Sequence, residues 1–237
     1  MKRSEINALI EEAHAFIAGL GVPLPPFAHW TPQTWTDLGL EARELVERGL
    51  GWDVTDFGSG RFNEVGLLLF TLRNGTLRAV QLRQGKMYAE KLLVVGDGQV
   101  TPTHFHPFKT EDIIHRGGPG TLLLELHWAA PDDTLSKETL TVSVDGFERS
   151  LKAGEVLRLE PGESVTMPSR MYHRFWAEGG RVLAGEVSTV NDDTTDNHFL
   201  EAVGRFPDIE EDVPPARLLV GDYAQFYPHA SSQKAGY

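Results

Sequence analysis

Residues 98–118 read GQVTPTHFHPFKTEDIIHRGG, and residues 162–173 read GESVTMPSRMYH. Successive side chains of a strand point to opposite faces, so His104 and His106 project to the same side and into the same cavity. The second stretch follows a turn that Pro161-Gly162 is suited to make, and it delivers His173 at the end of another strand run. With nine histidines in the chain, an HxH pair alone says little. The two stretches together are far more specific than either.

The text around them is built of short apolar or β-branched runs separated by Gly, Asp, Asn or Pro. VGLLLFTLRNGTLRAVQL carries an Asn74-Gly75 hairpin signal, and KLLVVGDGQV, GTLLLELHW, LTVSVDGFERSL, VLRLEPGESVTM, HRFWA and RVLAGEVSTV continue the pattern. Many short antiparallel strands predict a mainly β protein, a sandwich or barrel. Ahead of them, Ser4 is placed to cap a helix whose apolar positions Ile6, Leu9, Ile10, Ala13, Phe16, Ile17 and Leu20 recur at helical spacing up to Gly21. A second helix is predicted over about 34–49, with Trp35, Leu38, Leu45 and Val46 on its buried side and Gly39 as its weak point. The expected organisation is one domain over 1–237: a helical extension at 1–50, a barrel at 51–200, and a less periodic C-terminal segment at 201–237 ending in the polar SSQKAGY.

Composition narrows the partners. Thirty-four acidic against 22 basic residues give a formal charge of −12, which repels nucleic acid and anionic membranes and favours a small neutral ligand. The absence of cysteine excludes disulfides and thiolate ligands, so a transition metal would rest on imidazole and carboxylate. Glu5, Glu11, Glu12 and His14 interrupt the apolar stretch that a signal peptide needs, and no run reaches membrane-spanning length, which predicts a cytoplasmic protein.

The spacing Gly98, five residues, His104-x-His106, four residues, Glu111, six residues, Gly118 resembles the first motif of the cupins, and Gly162, Pro168 and His173 resemble the second. Arg170 stands where that motif usually has Gly, and Trp176 where it usually has Asn. The resemblance implies a cupin, jelly-roll-like β-barrel in which His104, His106, Glu111 and His173 bind one divalent metal. Three imidazoles and a carboxylate suit Mn²⁺, Fe²⁺, Co²⁺, Ni²⁺ or Zn²⁺. The finer text, YAEKLLVVGDGQVTPTHFHPFKTEDIIHRGG with EVSTVNDDTTDN, is similar to the D-lyxose isomerase family of cupins from the first helix to about Tyr223, with His115 where Asn is expected. That likeness implies interconversion of D-lyxose with D-xylulose and of D-mannose with D-fructose, Mn²⁺ as the metal, and a homodimer.

An aldose–ketose isomerase moves one proton between C2 and C1 and another between the adjacent oxygens, so it needs an acid–base pair beside the metal. Lys109 lies at even spacing from Glu111 and shares its face if Pro107 leaves the strand regular; otherwise it is a solvated lysine. For the carboxylate, Glu186, Asp192, Asp193 and the acidic run 208–212 all remain open, and Asp192 and Glu210 are carried forward with Lys109 as catalytic candidates. Phe105, Phe108, Tyr88, Trp128 and Trp176 either wall a sugar pocket or belong to the core, and His127 reads as a satisfied barrel residue. Competing readings are an iron dioxygenase or related oxidoreductase, which would take up oxygen; a phosphosugar isomerase, which would need more basic residues than Lys109, Arg116, Arg170 and Arg174; and a non-catalytic sugar-binding cupin.

Overall fold

The structure is a computed structural model that describes residues 1–192, 195–204 and 207–230. Helix α1 (Arg3–Gly19) is followed by two short helices, α2 (Pro32–Thr36) and α3 (Arg43–Glu47). The strands are β1 (Gly51–Thr55), β2 (Leu67–Arg73), β3 (Tyr88–Val95), β4 (His104–Phe105), β5 (Glu111–Gly117), β6 (Thr121–Trp128), β7 (Leu140–Val144), β8 (Phe147–Leu151), β9 (Val156–Leu159), β10 (Ser164–Met167), β11 (Met171–Glu178), β12 (Val182–Thr189) and β13 (His198–Phe199). Helix α4 (Leu77–Leu82) lies between β2 and β3, and α5 (Tyr223–Phe226) comes near the end. One antiparallel sheet runs β1-β2-β3-β12-β5-β10-β7-β8 and the other β13-β4-β11-β6-β9. This is the mainly β, two-sheet barrel expected of a cupin.

Side-chain alternation fills the space between the sheets. On β5, Glu111, Ile113 and His115 are buried while Asp112, Ile114 and Arg116 face outward. Val142, Val144, Leu157, Leu159, Val165 and Met167 pack with Leu122, Leu124 and Leu126 in one core cluster. Each such side chain contributes about 1.5–3 kcal/mol when fully buried. Some buried positions are polar, with Lys91, Glu111 and Glu186 on the neighbouring strands β3, β5 and β12.

The outer face of β1, β2 and β3 is apolar as well, since α1 lies on it. Ile6, Ile10, Ala13 and Ile17, at helical spacing, pack against Trp52, Val54, Leu68, Phe70, Leu92 and Val94. Arg3 is buried at the helix start, where its guanidinium donates to both carboxylate oxygens of Glu211 and of Asp222. Trp35 stacks on Tyr223 with ring centroids 4.3 Å apart, and the hydroxyls of Tyr223 and Tyr227 donate to the carbonyls of Leu50 and Gly39. The C-terminal segment thus straps the helical extension to the barrel.

Three local expectations are corrected. Helix α1 begins after Lys2, whose amide donates to Glu5, whereas Ser4 lies inside the first turn and bonds Asp212. The helix expected over 34–49 is broken into α2, a 3₁₀ turn at Leu40–Ala42 and α3, with Gly39 at the break. Asn74-Gly75 makes no tight hairpin: Thr76 caps α4 in the stretch TLRAVQL, and the Asn74 side chain bonds Asn191 across to the other connection. Among the described residues no helix is long and apolar enough to cross a membrane.

Candidate metal centre

Strand pairing sets His104 directly opposite His173 on β4 and β11, and His106 follows two residues on. Glu111 opens β5 in the facing sheet. All four side chains are at least nine-tenths buried, and one ring nitrogen from each of the three imidazoles lies within 4.8 Å of the others. Each Nδ1 meets a backbone carbonyl: Pro102 at 2.8 Å from His104, Asp196 at 2.6 Å from His106, and Met171 at 3.1 Å from His173. A carbonyl only accepts, so Nδ1 carries a hydrogen in every ring, and a neutral ring then presents Nε2 as the ligating lone pair. Burial and the neighbouring imidazoles hold His104 well below its ordinary pKa, in the neutral form this requires.

Glu111 Oε1 sits 3.1 Å from His173 Nε2 and 3.4 Å from His106 Nε2, and it has no hydrogen-bond partner. Where both rings are neutral, two nitrogen lone pairs aimed at a carboxylate oxygen repel it unless a cation lies between them. With metal–ligand bonds of roughly 2.1 Å, ligand atoms at right angles stand about 3.0 Å apart. The donor set, the tautomers and the orphaned oxygen therefore fit one divalent cation.

The other oxygen of Glu111 is held by Lys109, whose Nζ lies 2.7 Å from Oε2 and 2.8 Å from Glu186 Oε1. Burial alone would lower Lys109, but the two carboxylates outweigh it and raise its pKa, so the lysine is an ammonium. Burial would raise Glu111 and Glu186, and Lys109 overrides it in both, holding them below the usual carboxylate value. Lys91 completes the group, 2.8 Å from Asn191 Oδ1 and 3.6 Å from Glu186 Oε1. Ser188 also donates to Glu186 Oε1, so the close contacts of this carboxylate crowd one oxygen.

The three imidazoles, Glu111, Lys109, Glu186, Lys91 and Asn191 line a cavity of about 210 Å³, while Phe57, Leu67, Leu69, Phe175 and Phe199 give it apolar surface. The regularity that Pro107 put in question is irrelevant to Lys109, which reaches the cavity from the loop before β5. Glu210 is corrected as a catalytic candidate: it is exposed outside the barrel, where its backbone pairs with Met1 and Arg3. Asp192 accepts a hydrogen bond from Thr195 and is not in the cavity wall, whereas Glu186, another of the candidate carboxylates, is. Asp193 lies outside the described residues. None of the five aromatics proposed for the wall lines it: Phe105 is buried against Tyr172 and His198, and Phe108 is 79 % exposed. Lys91 was overlooked, although a charged residue inside the apolar run AEKLLVV, at inward parity, is a legible signal.

Arg170, where cupins usually have Gly, has φ +63°, a left-handed conformation that costs a side-chain residue strain. Its guanidinium offsets this by donating to the Ala130 carbonyl and Asp133 and by lying 5.0 Å over the Phe105 ring.

The two-sheet barrel and its cluster of three imidazoles and a carboxylate define a cupin. Residues 1–223 match the D-lyxose isomerase family model, and the chain belongs to that family. It is 48 % identical over 229 residues to a D-lyxose/D-mannose isomerase of Serratia proteamaculans, covering 95 % of this chain and 99 % of that one. Identity to the protein of the same description from Escherichia coli O157:H7 is 47 % over 229 residues, 95 % of this chain and all of the other. Among solved structures, L-ribose isomerase of Geodermatophilus obscurus superposes with a TM-score of 0.59 at 17 % identity, covering 89 % of this chain and 98 % of that one, a likeness of fold.

Proposed function

We propose that this chain interconverts D-lyxose with D-xylulose, and D-mannose with D-fructose, at one divalent metal ion, Mn²⁺ in the first instance, held by His104, His106, Glu111 and His173. The observation that carries the reading is the juxtaposition of the orphaned Glu111 oxygen and three Nε2 lone pairs with the Lys109–Glu186 ion pair in one cavity. The substrates are those of the curated relatives' descriptions together with the corresponding ketoses.

A divalent cation there supplies Lewis-acid polarisation of neighbouring sugar oxygens. Glu186 is the base: its carboxylate, kept ionised by Lys109 and Lys91, takes the proton from C2 of the open-chain aldose and returns it to C1. The C2–H bond breaks, the C1–H bond forms, and the hydroxyl proton at O2 passes to O1, so the sugar is neither oxidised nor reduced overall. Lys109 places positive charge beside the oxygens where negative charge develops. Phe57, Phe175 and Phe199 exclude water, which strengthens both interactions.

The same reading takes the protein as a cytoplasmic homodimer. The exposed apolar side chains of Leu77, Leu82, Met87 and Tyr88 offer a second copy a surface to cover. The test is to supply the Mn²⁺-loaded protein with D-lyxose or D-mannose and follow the sugar by NMR. Ketose is expected from both; no ketose from either overturns the proposal.

A further inference from the structure

Four buried side-chain atoms among the described residues lack a hydrogen-bond partner: Thr101 Oγ1, Glu111 Oε1, His115 Nδ1 and His127 Nδ1. Thr101 and Glu111 belong to residues that line the cavity. Glu111 has a cation to explain it; Thr101 does not, because a neutral hydroxyl three residues before His104 is no substitute for the four ligands already present.

The backbone of Thr101 is tightly held. Its amide donates to the Phe175 carbonyl at 3.0 Å, and the preceding Val100 is bonded on both sides, to Glu64 and Gly66. Its buried neighbour Gln99 has both amide atoms engaged, by Gly96 and Phe62. The unpaired hydroxyl is therefore no sign of a loosely built loop. Thr101 differs from Gln99 in lining the cavity with part of its side chain, although its oxygen is turned away from solvent.

Position gives the hydroxyl a specific task. His104 pairs with His173, whereas Thr101 is bonded to Phe175, two residues further along β11. Two residues of strand span roughly 6–7 Å. A sugar whose C1 and C2 oxygens lie at the metal centre has only its remote carbons at that distance. Rotation about χ1 exchanges the threonine methyl and hydroxyl, which lets the residue turn its oxygen to a ligand.

We propose that Thr101 is a substrate-positioning residue that hydrogen-bonds a hydroxyl of the aldose remote from the reacting C1–C2 pair. The inference rests on the aldose–ketose reading above and adds to it the means by which the cavity recognises the unreactive part of the sugar. A site built to bond a hydroxyl rejects an analogue that lacks it.

The test compares metal-loaded wild type, Thr101→Val and Thr101→Ser. Valine keeps the shape and removes the hydroxyl, so melting temperature and bound metal are unchanged or melting rises, because an unpaired buried group has gone. KM for D-lyxose rises about tenfold in Thr101→Val with kcat within about twofold, and serine restores KM to within about threefold. Calorimetric titration with the corresponding alditol, which binds without turnover, weakens by the same factor. Among C3-, C4- and C5-deoxy sugars, one binds wild type and Thr101→Val equally. An unchanged KM and alditol affinity in a folded, active Thr101→Val overturns this inference alone. A wild type that isomerises no aldose removes the function proposed above and this inference with it.

Discussion

Two clusters of opposite charges, each built on a buried cation, lie on the two sides of the first sheet, and they are built to different rules. Outside the barrel, Arg3 is 2 % exposed and its guanidinium meets all four oxygens of Glu211 and Asp222, so each carboxylate oxygen there has a donor. Inside, Lys109 joins Glu111 and Glu186, but Glu111 keeps one oxygen unpaired among three imidazole lone pairs. A saturated cluster fastens the chain to itself. An unsaturated one facing a cavity is an arrangement waiting for a ligand, because a buried carboxylate oxygen without a partner carries a desolvation cost that binding recovers.

The contrast breaks if mutations in the two clusters have interchangeable effects. The largest expected effect is from Glu111→Gln or His173→Ala: metal content falls to background and turnover by more than about 10³-fold, measured by elemental analysis and a ketose assay. Next is Glu186→Gln, where the metal stays and kcat falls about 10²- to 10⁴-fold, with Lys109→Ala changed in the same sense. Unchanged turnover in Lys109→Ala withdraws its role.

Arg3→Met should do the opposite, with kcat unaltered and stability reduced by about 2 kcal/mol in a denaturant titration. Its pH dependence sharpens the comparison. The Arg3 hydrogen bond holds Glu211 below its ordinary value of 4.5, so the stabilisation is present above that value and is lost as pH falls through the lowered folded one. The gap in melting temperature between wild type and Arg3→Met therefore narrows as the pH drops below 4.5. The smallest effect is for Glu210→Ala, within about 0.5 kcal/mol and without change in kcat, since only its backbone is engaged.

The two clusters were unequally legible in the sequence. The inner one was half visible: HxH parity, the Glu111 and Lys109 spacing and the second histidine segment are local patterns that alternation converts into a shared face. Glu186 stayed one of several carboxylates because its partnership with Lys109 is made across strands, through β12 pairing with β5, and no short-range spacing encodes it. The outer cluster was invisible for the same reason, as Arg3 and Asp222 stand at opposite ends of the chain. Asn74-Gly75 misled in the reverse direction: its turn propensity was real, but Thr76 offered the following residues a helix cap and the Asn74 side chain a tertiary partner in Asn191.

Turnover is expected to depend on one cation held by the unpaired oxygen and the three imidazoles. Stripping the protein with a chelator, returning Mn²⁺ in sub-stoichiometric steps, and measuring bound metal and ketose formation together shows whether it does. Activity should rise in proportion to occupancy and level at one ion per chain; full turnover by the stripped protein, or saturation with no rise in activity, would mean that the cluster is not a catalytic cation site.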